Sequence, residues 1–193
     1  AFLGFLSLIL MIFLTPSNKN KLDKEVNRIH SINERCMMIG LFLLTVGTFL
    51  GGVWANESWG RYWGWDPKET WALISVVIYS IVLHIRFISI KRFIYIFSVA
   101  SVFSFYSIIM TYFGVNFYLS GLHSYAQGDP GPIPNILYYS LIVASLVSIF
   151  SLYKHQFIYL SKDNLKRIKE LIKFTVLNFV LIFIFIRSIF GLL

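Results

Sequence analysis

The chain has 193 residues, 57% hydrophobic and 13% charged, with a formal net charge of +8 and a mean hydropathy of +0.71. Soluble domains run nearer about 45–50% apolar and about 25% charged, so an ordinary soluble domain is excluded, as is disorder, which needs low hydrophobicity. The apolar residues fall in long runs, and the class they define is an all-α polytopic transmembrane helical bundle.

In chain order, residues 1–14 are an apolar run closed near Pro16. A span needs about 20 residues, so this run reads as the end of a truncated helix whose start lies upstream. With no charged n-region and no cleavage motif, it does not read as a signal peptide. Residues 17–35 are expected as a polar, basic loop that completes a first segment, 1–35. Residues 36–54 hold 19 uncharged residues, one full span. Residues 55–69 form a Trp-rich connector, and a second span runs from Pro67 to about Ile90. Residues 93–119 give 27 uncharged residues, enough to cross with tilt. A loop at 120–134 and a span at 135–153 complete one membrane domain, 36–153. The last segment, 154–193, is a basic loop and an apolar stretch carrying Arg187, either a span with a snorkelling arginine or an interfacial helix.

Of 17 Lys and Arg, 14 sit in residues 19–35, 86–92 and 154–173. They lie between apolar runs, as cytoplasmic loops do under the positive-inside rule. No RNA- or DNA-binding module accompanies them, so no nucleic-acid partner is expected. The Trp-rich connector and the loop after Leu119 then face the opposite side. That is the periplasm if the bilayer is a bacterial inner membrane; a plastid thylakoid membrane is the second setting. Cys36 is the only cysteine, which excludes an intrachain disulfide and a CxxC motif, and it is expected to pack at a helix end.

All five Trp lie within WANESWGRYWGWDPKETW, residues 54–71. Interfacial belts place aromatics at both membrane surfaces, so this crowding at one end calls for another explanation. Asp66 can cap a helix, Pro67 suits its first position, and Glu69 completes a capping box. Trp71 then begins a membrane helix and Trp54 ends the one before it. Trp59 and Trp63, four apart, are expected to share a helical face along the interface. Two readings remain open: flat aromatic walls for a large planar ligand, or a rigid interfacial anchor.

The stretch WANESWGRYWGWDPKETWALI resembles the WWD signature of heme-handling proteins in cytochrome c maturation. DPKETWALI is most similar to the CcsA (ResC) branch of the System II cytochrome c synthase; the CcmC and CcmF branches diverge after the Asp. LSGLHSYAQGDPGPIP resembles the CcsA loop that follows. The likeness covers roughly residues 31–153. It implies a heme site on the Trp-rich external segment, with Trp54, Trp59, Trp63, Trp65, Asp66 and Trp71 as heme-contacting residues. Heme b is the implied ligand and substrate.

Bis-His ligation is a common way to hold heme, and the chain has four histidines. His123, in the loop on the same side as the Trp cluster, reads either as an exposed loop residue or as a ligand. By resemblance it matches the family's external heme-iron ligand. His84 lies about 26 Å along the second span, counted from Pro67. An ionisable group at that depth points to function, set against snorkelling beside Arg86, and by resemblance it matches the family's transmembrane ligand. His30 and His155 match no family ligand and are expected as ordinary residues of basic loops. The family pattern requires two pairs, and only one of each is present. The second external His is expected upstream, and the second membrane His on a CcsB (ResB)-like partner or fused portion.

The resemblance implies that heme is taken up at His84, moved to the Trp-rich segment, and joined there through its vinyl groups to the CxxCH thiols of an apocytochrome c. Arg61 and Lys68 are candidates to neutralise the heme propionates, set against surface pairing with Glu57 and Glu69. Two alternatives stand: a CcmC-like heme chaperone that loads a carrier protein, and a non-heme transporter or membrane scaffold.

Overall fold

In the computed structural model, residues 1–15, 17–88, 92–118 and 135–159 are described, together with Lys173 and Val176. The helices are α1 (Phe2–Ile12), α2 (Lys19–Trp59), α3 (Pro67–His84), α4 (Phe93–Ile109), α5 (Val115–Tyr118) and α6 (Asn135–Tyr159). A 3₁₀ turn, Ile85–Phe87, follows α3, and a π-helical turn, Met110–Gly114, joins α4 to α5. The described residues contain helices and no strands. Four helical segments are long and apolar enough to cross a membrane: Lys19–Trp59, Pro67–Phe87, Phe93–Gly114 and Asn135–Lys154. The protein is an all-α, multi-pass membrane protein.

α2 departs from the expected loop at 17–35. It runs 41 residues without a break, about 61 Å at 1.5 Å per residue. Nothing in KNKLDKEVNRIHSINER breaks a helix, and the segment has a face to bury. Val26, His30, Asn33 and Met37 recur at helical spacing and are all buried. His30 is therefore a buried helix residue, only 8% exposed. Its ring meets Phe93 and Phe97 edge-on, with centroids 5.0 and 4.8 Å away. Among the described residues its Nδ1 has no hydrogen-bond partner. Cys36 is likewise mid-helix and exposed, not at a helix end.

The bundle centre is α4, which packs against α1, α2, α3 and α6. Its serines make the close approaches possible. Ser98 Oγ donates to Ser7 Oγ of α1 at 3.1 Å, and Asn33 Nδ2 of α2 donates to Ser101 Oγ at 3.0 Å. A Cβ added at Gly4 would lie 2.8 Å from the Ser98 carbonyl oxygen, so α1 and α4 touch backbone to backbone there. Tyr95 and Phe97 are fully buried, and Tyr95 Oη donates to the Ser148 carbonyl on α6 at 2.8 Å. The result is a bundle with a basic end, holding Arg86 and the first half of α2, and an aromatic end, holding residues 54–71.

Candidate functional site: the aromatic end

α2 continues past Trp54 to Trp59 and stops at Gly60, whose φ of 69° is left-handed. Gly60 N–H donates to the Asn56 carbonyl at 2.8 Å, closing the last turn. The connector is thus residues 60–66, shorter than expected. Trp59 and Trp63 do not share a helical face, because Gly60 separates the helix from Trp63. The Trp rings pair differently: Trp54 with Trp59, centroids 5.0 Å apart, and Trp63 with Trp65, 5.9 Å apart. Both pairs are edge-to-face, the arrangement ring quadrupoles favour.

The connector ends in strain followed by a cap. Trp65 has φ 56°, left-handed for a non-glycine residue, which costs on the order of 1–2 kcal/mol. The next residue repays it. Asp66 is buried, and its carboxylate accepts from Lys68 N–H at 3.3 Å. Glu69 Oε2 accepts from Asp66 N–H at 3.2 Å and from Gly64 N–H at 2.7 Å. The capping box expected at Asp66-Pro67-Lys68-Glu69 is present, and through Gly64 it also pins the connector.

Between the second half of α2, the connector and the start of α3 lies a cavity of about 470 Å³, within the about 300–1,000 Å³ typical of ligand sites. Its walls include Trp54 and Trp63, with Tyr62, Lys68 and Glu69 toward the connector and Thr111 of the π-helical turn. On the α2 side it is lined by Gly47, Gly51 and Gly52. A Cβ at Gly47 or Gly51 would meet nothing within 4 Å, so these glycines open directly onto the space. In the sequence, Gly47-x-x-x-Gly51 is a small-residue motif of the kind that usually marks a helix-packing face, which conceals its place on a cavity wall. Thr111 Oγ1 donates to the Ser107 and Trp71 carbonyls at 2.8 and 3.2 Å, tying the π turn to α3. π turns of this kind recur at functional sites.

The expected site residues therefore divide. Trp54 and Trp63 line the cavity, Trp59 and Trp65 back them by ring contact, and Asp66 fixes the connector. Trp71 is not among the lining residues and ties to the π turn through its carbonyl. Lys68 Nζ donates to Asn116 Oδ1 at 3.1 Å, while the Glu69 carboxylate accepts from the Gly64 and Asp66 N–H groups. The Arg61 guanidinium folds over Gly64 and fills the place an added Cβ would take. His123 lies outside the described residues, as do the loop around it and the side chain of His155.

His84 is the last residue of α3, at the basic end, and is exposed. Its Nδ1 lies 2.7 Å from the Ser80 carbonyl oxygen. A carbonyl only accepts, so Nδ1 carries a proton, and in the neutral ring Nε2 then holds the lone pair. That is the tautomer a metal-ligating His takes when its other nitrogen is held by a carbonyl. The 18 residues of α3 separate His84 from the connector, about 26 Å along the helix, so one ligand cannot occupy both places.

A Trp-walled cavity at one end of a multi-pass helical bundle, with a histidine at the other, is the arrangement found here in a cytochrome c biogenesis protein: the chain belongs to the Cytochrome C assembly protein family, whose model matches residues 1–123. It is 58% identical over 132 residues to Protein NrfI of Wolinella succinogenes, 68% of this chain and 14% of that protein. It is 46% identical over 104 residues to cytochrome c biogenesis protein CcsA of Cyanophora paradoxa, 54% of this chain and 32% of that one. With CcsA of Nasturtium officinale it shares 52% identity over 93 residues, 48% of this chain and 28% of that one. The chain thus spans less than a third of the length of these relatives, and it is CcsA-like within its family.

Proposed function

We propose that the chain is the heme-handling part of a cytochrome c synthase. Heme is the substrate and cargo. It is taken up at the basic end through His84 Nε2, passed to the cavity at the aromatic end, and held there with His123 as one axial ligand. The observation that carries this reading is the cavity itself: two Trp rings, each backed edge-on by a second Trp, beside a glycine-lined helix face open to a flat ligand. Family membership supports it. Aromatic enclosure limits solvent access, and His ligation positions heme and tunes its potential.

The product step is addition of a thiol S–H across each heme vinyl group. Sulfur bonds to the α-carbon and hydrogen ends on the β-carbon, so atoms and electrons balance without an added oxidant. The two thiols belong to the CxxCH segment of apocytochrome c, which fits a chain with one cysteine, Cys36, exposed on α2 and not among the cavity-lining residues. The second ligand at each site is assigned to upstream sequence and to a CcsB-like partner or fused portion. The basic segments face the cytoplasm of a bacterial inner membrane and the aromatic end faces the periplasm, following the positive-inside rule.

The test is the reduced heme spectrum of the protein assembled with its partner. His123→Ala loses or shifts the external heme signal, and added imidazole restores it. A spectrum unchanged by the substitution overturns the ligand assignment. Absence of any Soret band from the assembled wild-type complex overturns the heme reading and favours a non-heme scaffold.

A further inference from the structure

α2 buries one face and leaves the opposite one bare. Val26, His30, Asn33 and Met37 are buried against the bundle. About half a turn round the helix, at about 100° per residue, a second stripe is exposed along its whole length. Ile32, Ile39, Val46 and Val53 recur in it every seven residues. Arg28, Arg35, Phe42 and Phe49 recur in step with them, so the two series alternate at spacings of four and three. All are exposed. A repeat of 3.5 residues with a β-branched residue in one of its two positions is the seam by which one helix pairs with another.

The seam changes character along the rod. From Ile39 to Val53 it is apolar. Below Ile39, Arg35 and Arg28 take the alternate position, Lys21 falls one repeat earlier, and Lys24 flanks it, all exposed. Arg28 Nη1 lies 3.8 Å from Glu25 Oε2, between two exposed side chains. Lys21, Lys24 and Arg35 enter no ion pair among the described residues. The face therefore carries four cations and one carboxylate. Lipid headgroups do not match that distribution. Lys21 to Arg35 is 14 residues, about 21 Å of helix, and still about 16 Å of depth at a tilt of about 40°. The headgroup layer is only about 5–7 Å deep on each side. A second copy does not match it either. Copies in one membrane share one orientation, so pairing in register would set Arg28 and Arg35 against themselves.

We infer that this seam of α2 docks a different transmembrane helix, apolar within the bilayer and continuing into an acidic extension whose carboxylates face Lys21, Arg28 and Arg35. β-branched residues at one seam position suit a two-stranded pair. None of the seam residues lines the Trp-walled cavity, so docking does not depend on the heme reading.

The test uses the full chain in phosphatidylcholine nanodiscs and synthetic single-span helices that contain no Trp. All share one apolar span with a dansyl group at its outer end, and their extensions carry Glu, Gln or Lys at the seam positions. Energy transfer from the chain's own Trp cluster to the dansyl group reports docking. The Glu helix binds about tenfold more tightly than the Gln helix, the combined effect of several exposed charge pairs, and the gap narrows with added salt. In Arg28→Glu combined with Arg35→Glu the order reverses and the Lys helix binds best. The Gln helix, held by the apolar half, keeps its affinity there and reports an intact fold. Phe42→Ala combined with Phe49→Ala weakens all three helices alike. Equal binding of the Glu and Gln helices overturns the inference, as does a Glu preference that survives the charge reversal. Loss of that preference when phosphatidylglycerol replaces part of the lipid assigns the cations to headgroups and overturns it. So does efficient oxidative cross-linking of the chain to itself through Cys36, exposed beside Arg35, which assigns the face to a second copy.

Discussion

The two ends of the bundle differ in how completely the chain builds them. At the aromatic end, a helix stop, a strained Trp and a capping box fold seven residues against two helices and border an open cavity of about 470 Å³. At the basic end, His84 stands exposed on the last turn of α3, next to Phe87, and in the 3₁₀ turn that follows, Arg86 Nη1 meets Glu34 Oε1 at 2.6 Å. The aromatic end has walls of its own. A ligand bound through His84 would draw its other walls from a second surface. One end is a receptacle, the other half of an interface.

The sharpest way to break this contrast is to fill the receptacle. Gly51→Leu puts a side chain where an added Cβ meets nothing within 4 Å. It should cut heme occupancy at the aromatic end at least about tenfold, by displacing the ligand's packing, without lowering the thermal unfolding temperature in detergent. Retained occupancy would show that the cavity is not the site. Next, Trp63→Ala removes one wall and the partner of Trp65. Porphyrin affinity should fall about threefold to tenfold, the worth of an aromatic pair, and titration of the purified variant measures it. Asp66→Ala removes the α3 cap and should cost about 1 kcal/mol of stability, read from thermal unfolding, with a looser aromatic end as its by-product. Smallest of all, Glu34→Gln removes the charge from the pair with Arg86, in which the Arg86 side chain is 48% exposed and the Glu34 side chain 18%. Such pairs contribute about 0.2–1 kcal/mol and less in high salt, so unfolding should shift by no more than that and heme at the aromatic end should be unaffected.

What could be read from the sequence was local. Asp66, Pro67 and Glu69 announce a helix start because each acts within four residues of the next, and the capping box forms as expected. The spans were legible for the same reason, since an apolar run needs no partner to be recognised. What escaped depended on distant contacts. Residues 19–35 look like a loop until α1 and α4 supply the face on which Val26, His30, Asn33 and Met37 are buried. Trp59 and Trp63 look like helical neighbours until Gly60 turns left-handed between them. The glycines at 47 and 51 look like a packing motif until the connector folds back and leaves them facing a space.

The unbroken course of α2 has a consequence for how this chain can change in length. Glu34, paired with Arg86, and Trp54, on the cavity wall, are fixed points on one rigid rod. An α-helix turns by about 100° per residue, so one residue inserted between them swings Trp54 a quarter-turn or more out of phase with the basic end. Seven residues bring it back to within about 20°, but about 10 Å farther out. The two ends are geared together, and neither can be lengthened toward its own task without putting the other out of step.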